Sequence, residues 1–227
     1  MMNIEIPDRT SPVSVPQCKE NNTRGKEISQ EDLDAFCNAL LEYRAASVSG
    51  RYESRCLWYA IQVMRYCGLR PAETFALTKN DIHLSSSGSP YISINKAARS
   101  TSNELLALSD TKTEQSKRNM PIPAALKPIL IDCLAWTRHD LIFADYDGNL
   151  MDIDNVCLNV RRVAEKAGVK FNLYMLRHQF STDLFTAHVS PTVIRDLMGH
   201  KSANMSLDYA VSNTNDRIQA INNRQFS

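Results

Sequence analysis

The 227-residue sequence has almost no charge excess: 26 Lys and Arg stand against 25 Asp and Glu, a formal net charge of +1. Composition alone therefore does not announce a nucleic-acid partner, and any such face must be a local basic patch balanced by acids elsewhere. The chain lacks an apolar run of the about 18 residues that a membrane-spanning helix needs, and it shows no signal peptide. Its six cysteines (Cys18, Cys37, Cys56, Cys67, Cys133, Cys157) are scattered, and none forms a Cys-x-x-Cys pair. That spacing argues against zinc and for a reduced, intracellular compartment. No internal repeat and no carboxylate cluster suited to magnesium is visible. What the chain does have is an ordinary hydrophobic fraction, 43%, enough for one large domain or two small ones.

Residues 1–27 are polar, carry Pro7, Pro12 and Pro16, and have no periodicity. They are expected to be a mobile tail or linker remnant. Ser29 with Asp32 then makes a helix start, followed by Leu33, Phe36, Leu40 and Leu41 at helical spacing. A second helix is expected from about Arg51 to Cys67, burying Leu57, Trp58, Ile61, Met64 and Cys67, with Gly68 as its C-cap. Pro71 suits the first position of the next helix, which leaves Arg70 at a helix junction. Tyr91–Asn95, Leu105–Leu108 and Arg118–Pro123 read as strands of a small sheet, with Asp110–Ser116 as a turn. An amphipathic helix over Ala124–Trp136 and a short strand at Leu141–Phe143 follow. Asp152 or Asp154 caps a helix that Gly168 stops. Its Arg161, Arg162 and Lys166, with Lys170 beyond, form the clearest basic cluster, either a solvated helix face or a phosphate-backbone contact. Asn172 caps a helix carrying Arg177. Ser190-Pro191 opens another, with Val193, Ile194 and Leu197 expected on its core side.

The chemistry concentrates in Leu173–Val211. Arg177 lies in an apolar helical stripe with Leu173, Leu176, Phe180 and Leu184, where a cation needs an anionic partner. His200 follows Met198-Gly199, where a helix should stop, and Tyr209 comes nine residues later. An arginine fork matches two phosphate oxygens. Histidine moves a proton near neutral pH. A tyrosine hydroxyl attacks once its proton is removed. The three together suit phosphoryl transfer through a covalent phosphotyrosine.

Leu176-Arg177-His178, Met198-Gly199-His200 and Asp208-Tyr209, in that order, resemble the catalytic half of the tyrosine recombinases, the phage integrase family. Gly68-Leu69-Arg70-Pro71-Ala72-Glu73, followed by Leu77-Thr78 and Asp81-Ile82, resembles the family's first-arginine box. Thr111-Lys112-Thr113 before Met120-Pro121-Ile122-Pro123 resembles the hairpin that carries its lysine. The resemblance covers roughly residues 29–212. It implies a mainly α fold with a small antiparallel β-sheet (α+β). Residues 28–227 would form the catalytic domain, with a tail from about 212 that docks on a neighbouring protomer.

By resemblance the catalytic set is Arg70, Lys112, Tyr174, Arg177, His200 and Tyr209. Arg70 and Arg177 would clamp the scissile phosphate. Lys112, with Lys117 as the rival, would protonate the leaving 5′ oxygen, and Tyr209 would be the nucleophile. Tyr174 occupies the position where the family usually has histidine or lysine, which leaves the general base open. Lys117, Arg118, Arg161, Arg162, Lys166 and Lys170 are the candidates for contact with the DNA backbone. The partners implied are double-stranded DNA and further copies of the chain, four in a synapse. No cofactor or metal is implied, because arginines supply the positive charge. A cytoplasmic, nucleoid-associated location goes with this.

The sequence does not show whether a separate N-terminal DNA-clamping domain belongs to the chain. Three other readings stay open: a DNA-binding relative with weak or lost cleavage, a helical interaction domain whose Arg, His and Tyr are structural, and a type IB topoisomerase. For the interaction domain, Arg70 would pair with Glu73 and lie away from Arg177. The topoisomerase ranks lower because the Gly-His and Leu-Arg-Pro-Ala-Glu boxes take the integrase form.

Overall fold

The structure is a computed structural model that describes residues 27–84, 89–98, 105–107 and 117–199, the backbone alone at 105–107. Helix α2 (Val48–Cys67) is the centre of the fold. Its residues are buried almost all round: Cys56, Ala60, Ile61, Met64 and Cys67 are fully enclosed, and Tyr59 and Val63 nearly so. A helix with so wide an apolar face has to be covered from several directions, while Arg51 and Arg55 keep one side in solvent. Helix α1 (Gln30–Glu42), the short α3 (Pro71–Thr74), α4 (Lys127–Trp136) and α6 (Leu173–Thr186) all pack against it. Trp58, expected inside, is only partly buried at the edge of this core.

Helix ends follow their local chemistry. Ser29 Oγ accepts from the Asp32 N–H at 3.0 Å, and Ser47 Oγ from the Gly50 N–H at 3.0 Å, so α2 starts a few residues before Arg51. Gly68 ends α2 at φ +61°, a left-handed turn that glycine takes without strain. Asp152, not Asp154, caps α5 (Ile153–Ala167): its Oδ1 accepts from the N–H groups of Asp154 and Asn155. Helix α4 begins at Lys127, later than Ala124, because residues 124–126 form a turn after Pro123. In α7 (Pro191–Met198) Ile194 is fully buried, but Val193 is 47% exposed and does not face the core as expected.

The β structure is two small antiparallel units, where the pattern suggested one sheet. Strands β1 (Ile82–His83), β2 (Tyr91–Ile94) and β5 (Arg118–Pro121) form one sheet in the order β1-β2-β5. Strands β3 (Lys96–Ala98) and β4 (Leu105–Ala107) form a separate ribbon. Leu141–Phe143 is not a strand: only Leu141 makes a bridge, to Thr78, while Ile142 and Phe143 fill the core. A continuous apolar run marks burial without deciding backbone form.

In β5, Met120 faces inward while Asn119 and Pro121 are exposed, and Arg118 lies on the Met120 side by the two-residue period. Helix α5 buries Val156, Val160 and Val163 and packs on α1. Phe36 and Phe171 meet alongside them with ring centroids 4.4 Å apart. No helix among the described residues is long and apolar enough to cross a membrane.

Candidate active site

Three segments far apart in sequence converge where α2 ends, α3 begins and α7 ends. Arg177 sits on α6 and is 5% exposed. Its Nη1 donates to the Gly68 carbonyl at 2.7 Å and its Nη2 to the Met198 carbonyl at 2.6 Å. Both carbonyls belong to helix C-terminal ends, where unsatisfied oxygens concentrate negative charge. The buried cation is held by these helix-end carbonyls, and its charge also bears on the Glu73 carboxylate, an anion of the kind the apolar stripe called for. The same two bonds hold the first-arginine box and the end of α7 against one guanidinium.

Arg70 is the N-cap of α3. Glu73, three residues on, reaches back so that its Oε2 accepts from the Arg70 backbone N–H at 3.0 Å, the return half of a capping box. Its Oε1 accepts from Arg70 Nη1 at 2.8 Å. The Arg70 side chain remains 34% exposed, whereas Glu73 is buried. Burial alone would raise the Glu73 carboxyl above its ordinary 4.5. The hydrogen-bonded Arg118 fork overrides that and, with the charges of Arg118, Arg70 and Arg177, holds it at about 2.

Arg118 is therefore not among the surface contacts where the sequence placed it. Its side chain is 7% exposed. Nη1 donates to Glu73 Oε1 at 3.1 Å, Nη2 to Glu73 Oε2 at 2.9 Å, and Nε to the Leu197 carbonyl at 2.7 Å. Two signals in the sequence pointed here: Arg118 shares the alternation of the inward Met120, and Glu73 stands at the spacing of a helix-start capping partner. Arg118 is among the residues expected at the DNA backbone and Glu73 is an expected partner of Arg70, but nothing in the sequence pairs Arg118 with Glu73.

The other candidates divide plainly. Tyr174 lies one turn before Arg177 and is 58% exposed, so it stands at the solvent edge of α6. Lys117 is exposed just before β5. Arg161, Arg162 and Lys166 are exposed on α5, as is Lys170 beyond it, and Arg161 pairs with Glu165 at 2.9 Å. Lys112, His200 and Tyr209 lie outside the described residues, as do the tail up to residue 26 and the segment from 212. Among the described residues, no group of three or more His, Cys, Asp or Glu side chains could hold a metal ion.

The model of the phage integrase family matches residues 26–216. The chain belongs to the phage integrase family, the tyrosine recombinases. A XerC-like tyrosine recombinase from Caldanaerobacter subterraneus subsp. tengcongensis is 25% identical over 111 residues, which is 42% of this chain and 28% of that protein. The fold is similar to that of the Tn1549 transposon integrase bound to transposon right-end DNA. That likeness has a TM-score of 0.69 at 18% identity and covers 86% of this chain and 64% of the other. It is also similar to the XerH site-specific recombinase bound to its difH substrate, with a TM-score of 0.61 at 20% identity, over 86% of this chain and 53% of the other. The chain spans less than two thirds of each of these relatives.

Proposed function

We propose that the chain is the catalytic part of a site-specific DNA recombinase that cleaves and rejoins strands through a 3′-phosphotyrosyl intermediate. The observation that carries this reading is the convergence on Glu73. Arg70 and Arg118 both donate to this one carboxylate, and the Arg177 charge acts on it as well. Three arginines gathered at one helix junction, with Arg70 still partly exposed, suit a pocket that receives a phosphodiester.

In this mechanism Arg70, the most open of the three, meets the non-bridging oxygens of the scissile phosphate. Arg177 supports them from the buried side. The Tyr209 oxygen attacks phosphorus, and the bond from phosphorus to the 5′ oxygen breaks. The electron pair leaves on that oxygen, which takes a proton from Lys112. Histidine is the side-chain type of the set suited to moving a proton near neutral pH, and the phenol proton of Tyr209 passes to His200. Religation runs the same steps in reverse with another 5′ hydroxyl, so no ATP is needed. Double-stranded DNA is the substrate, and a four-protomer synapse is the assembly in which strands would exchange.

One observation favours the structural alternative: Arg70 does pair with Glu73. Its second condition, separation from Arg177, runs against the geometry, since Arg177 Nη1 donates to the carbonyl of Gly68, two residues before Arg70, at 2.7 Å.

Covalent capture tests the proposal. The chain is mixed with nicked duplexes carrying a randomised central segment and denatured, and protein-linked DNA is recovered and sequenced. The expected result is an adduct on a defined site, lost with Tyr209→Phe and kept with Tyr174→Phe. Bound DNA without any adduct, unchanged by Tyr174→His, would overturn the reading of this chain as the cleaving part.

A further inference from the structure

We propose that Arg118 is a positioning residue: by taking both oxygens of Glu73, it keeps Arg70 from closing on that carboxylate and leaves the Arg70 guanidinium open to the DNA phosphate. The role rests on the recombinase reading above. Glu73 offers two oxygens to two guanidinium groups. Arg118 spans both, through Nη1 at 3.1 Å and Nη2 at 2.9 Å, while Arg70 places only Nη1 on Oε1, at 2.8 Å. The resulting difference in exposure is large: the Arg118 side chain is 7% exposed and that of Arg70 34%. Without Arg118, the fork preference of an arginine for a carboxylate would draw Arg70 into a bidentate pair with Glu73, and the donors aimed at a phosphate would be lost.

A second contact extends the role. Arg118 Nε donates to the Leu197 carbonyl at 2.7 Å, in the last turn of α7 and three residues before His200. One side chain on β5 thus ties the first-arginine helix to the end of α7. Gly199 makes room for it: a Cβ there would lie 2.8 Å from Arg118 Nη1 and 3.3 Å from its Cζ. Lysine could keep the charge at position 118 but not the planar fork that reaches two carboxylate oxygens and a carbonyl together.

The test uses the full chain and the nicked duplex that the wild type captures. Single-turnover adduct formation at saturating protein is measured separately from DNA affinity and its salt dependence. Arg118→Lys and Arg118→Met are both expected to slow adduct formation by about 100-fold, the scale of a misplacement near 1 Å, with affinity and salt slope unchanged. In the cycle with Glu73→Gln, the double variant is expected to be no slower than Arg118→Met alone.

Thermal melts identify any variant that fails to fold; if Arg118→Met does, Arg118→Lys carries the test. Wild-type rate in Arg118→Lys would show that charge alone suffices and would overturn the role. So would a salt slope reduced by about one phosphate contact with additive effects in the cycle, which would make Arg118 a DNA ligand. A folded wild-type chain that captures no duplex would instead overturn the recombinase reading, and this role with it. Capture by the wild type with equally fast Arg118 variants overturns the role alone.

Discussion

Glu73→Gln should flatten the acid limb of the stability curve. The substitution keeps the size of the side chain and removes its charge. In the folded chain the Glu73 carboxyl is held at about 2, against 4.5 ordinarily. That gap corresponds to about 3 kcal/mol of stability at neutral pH. Because the folded value is the lower one, the contribution is fully present above about pH 4.5 and is lost progressively as pH falls toward about 2. The assay is urea unfolding of the wild type and Glu73→Gln at a series of pH values from neutral to acid. Asp81 is also held below its usual range: burial would raise it, but Lys96, Thr78 and Asn95 override that. It adds an acid slope to both proteins and cancels in their difference. The wild type should be the more stable at neutral pH, and the two curves should converge in acid. Parallel curves would refute the reasoning, since they would mean that Glu73 is not the charged centre of three guanidinium groups.

Gly199→Ala should cost more than Gly168→Ala in thermal melts. Both glycines have positive φ, +59° and +72°, which alone costs an alanine about 1 kcal/mol, but only at Gly199 would the new Cβ meet another group, Arg118. Cys37, Cys56, Cys67 and Cys133 should stay silent to a thiol reagent until the chain unfolds, while Cys157, only partly buried, reacts in the native state. Burial pushes the Cys37 thiol up to about 11 and those of Cys67 and Cys133 to about 12. Fast reaction of all five would contradict the packing around α2. On α5, Arg162→Ala should weaken DNA binding evenly across sequences and lower the slope of log affinity against log salt by about 0.9. An unchanged slope would leave that face merely solvated.

Much of this protein is legible in its sequence, because the determining physics is local. Ser29 and Asn172 cap their helices as read, and Gly68 and Gly168 end theirs, through bonds within a few residues. The order of the Arg70, Arg177 and Gly199-His200 motifs pointed to the family and to its fold. Where contacts come from far along the chain, the reading failed. Leu141–Phe143 has a strand's composition, yet Ile142 and Phe143 are taken into the core. Val193 has a core residue's chemistry, yet α7 turns it outward. Arg118 is the sharpest case. A cation on a two-residue alternation reads as a surface charge unless an anion waits inside. That anion, Glu73, is 45 residues away and is placed there by the junction of α2 and α3. Caps and periodicity are set by neighbours in sequence, whereas the partner of a buried charge is set by which elements the packed core brings together, and only the tertiary structure decides that.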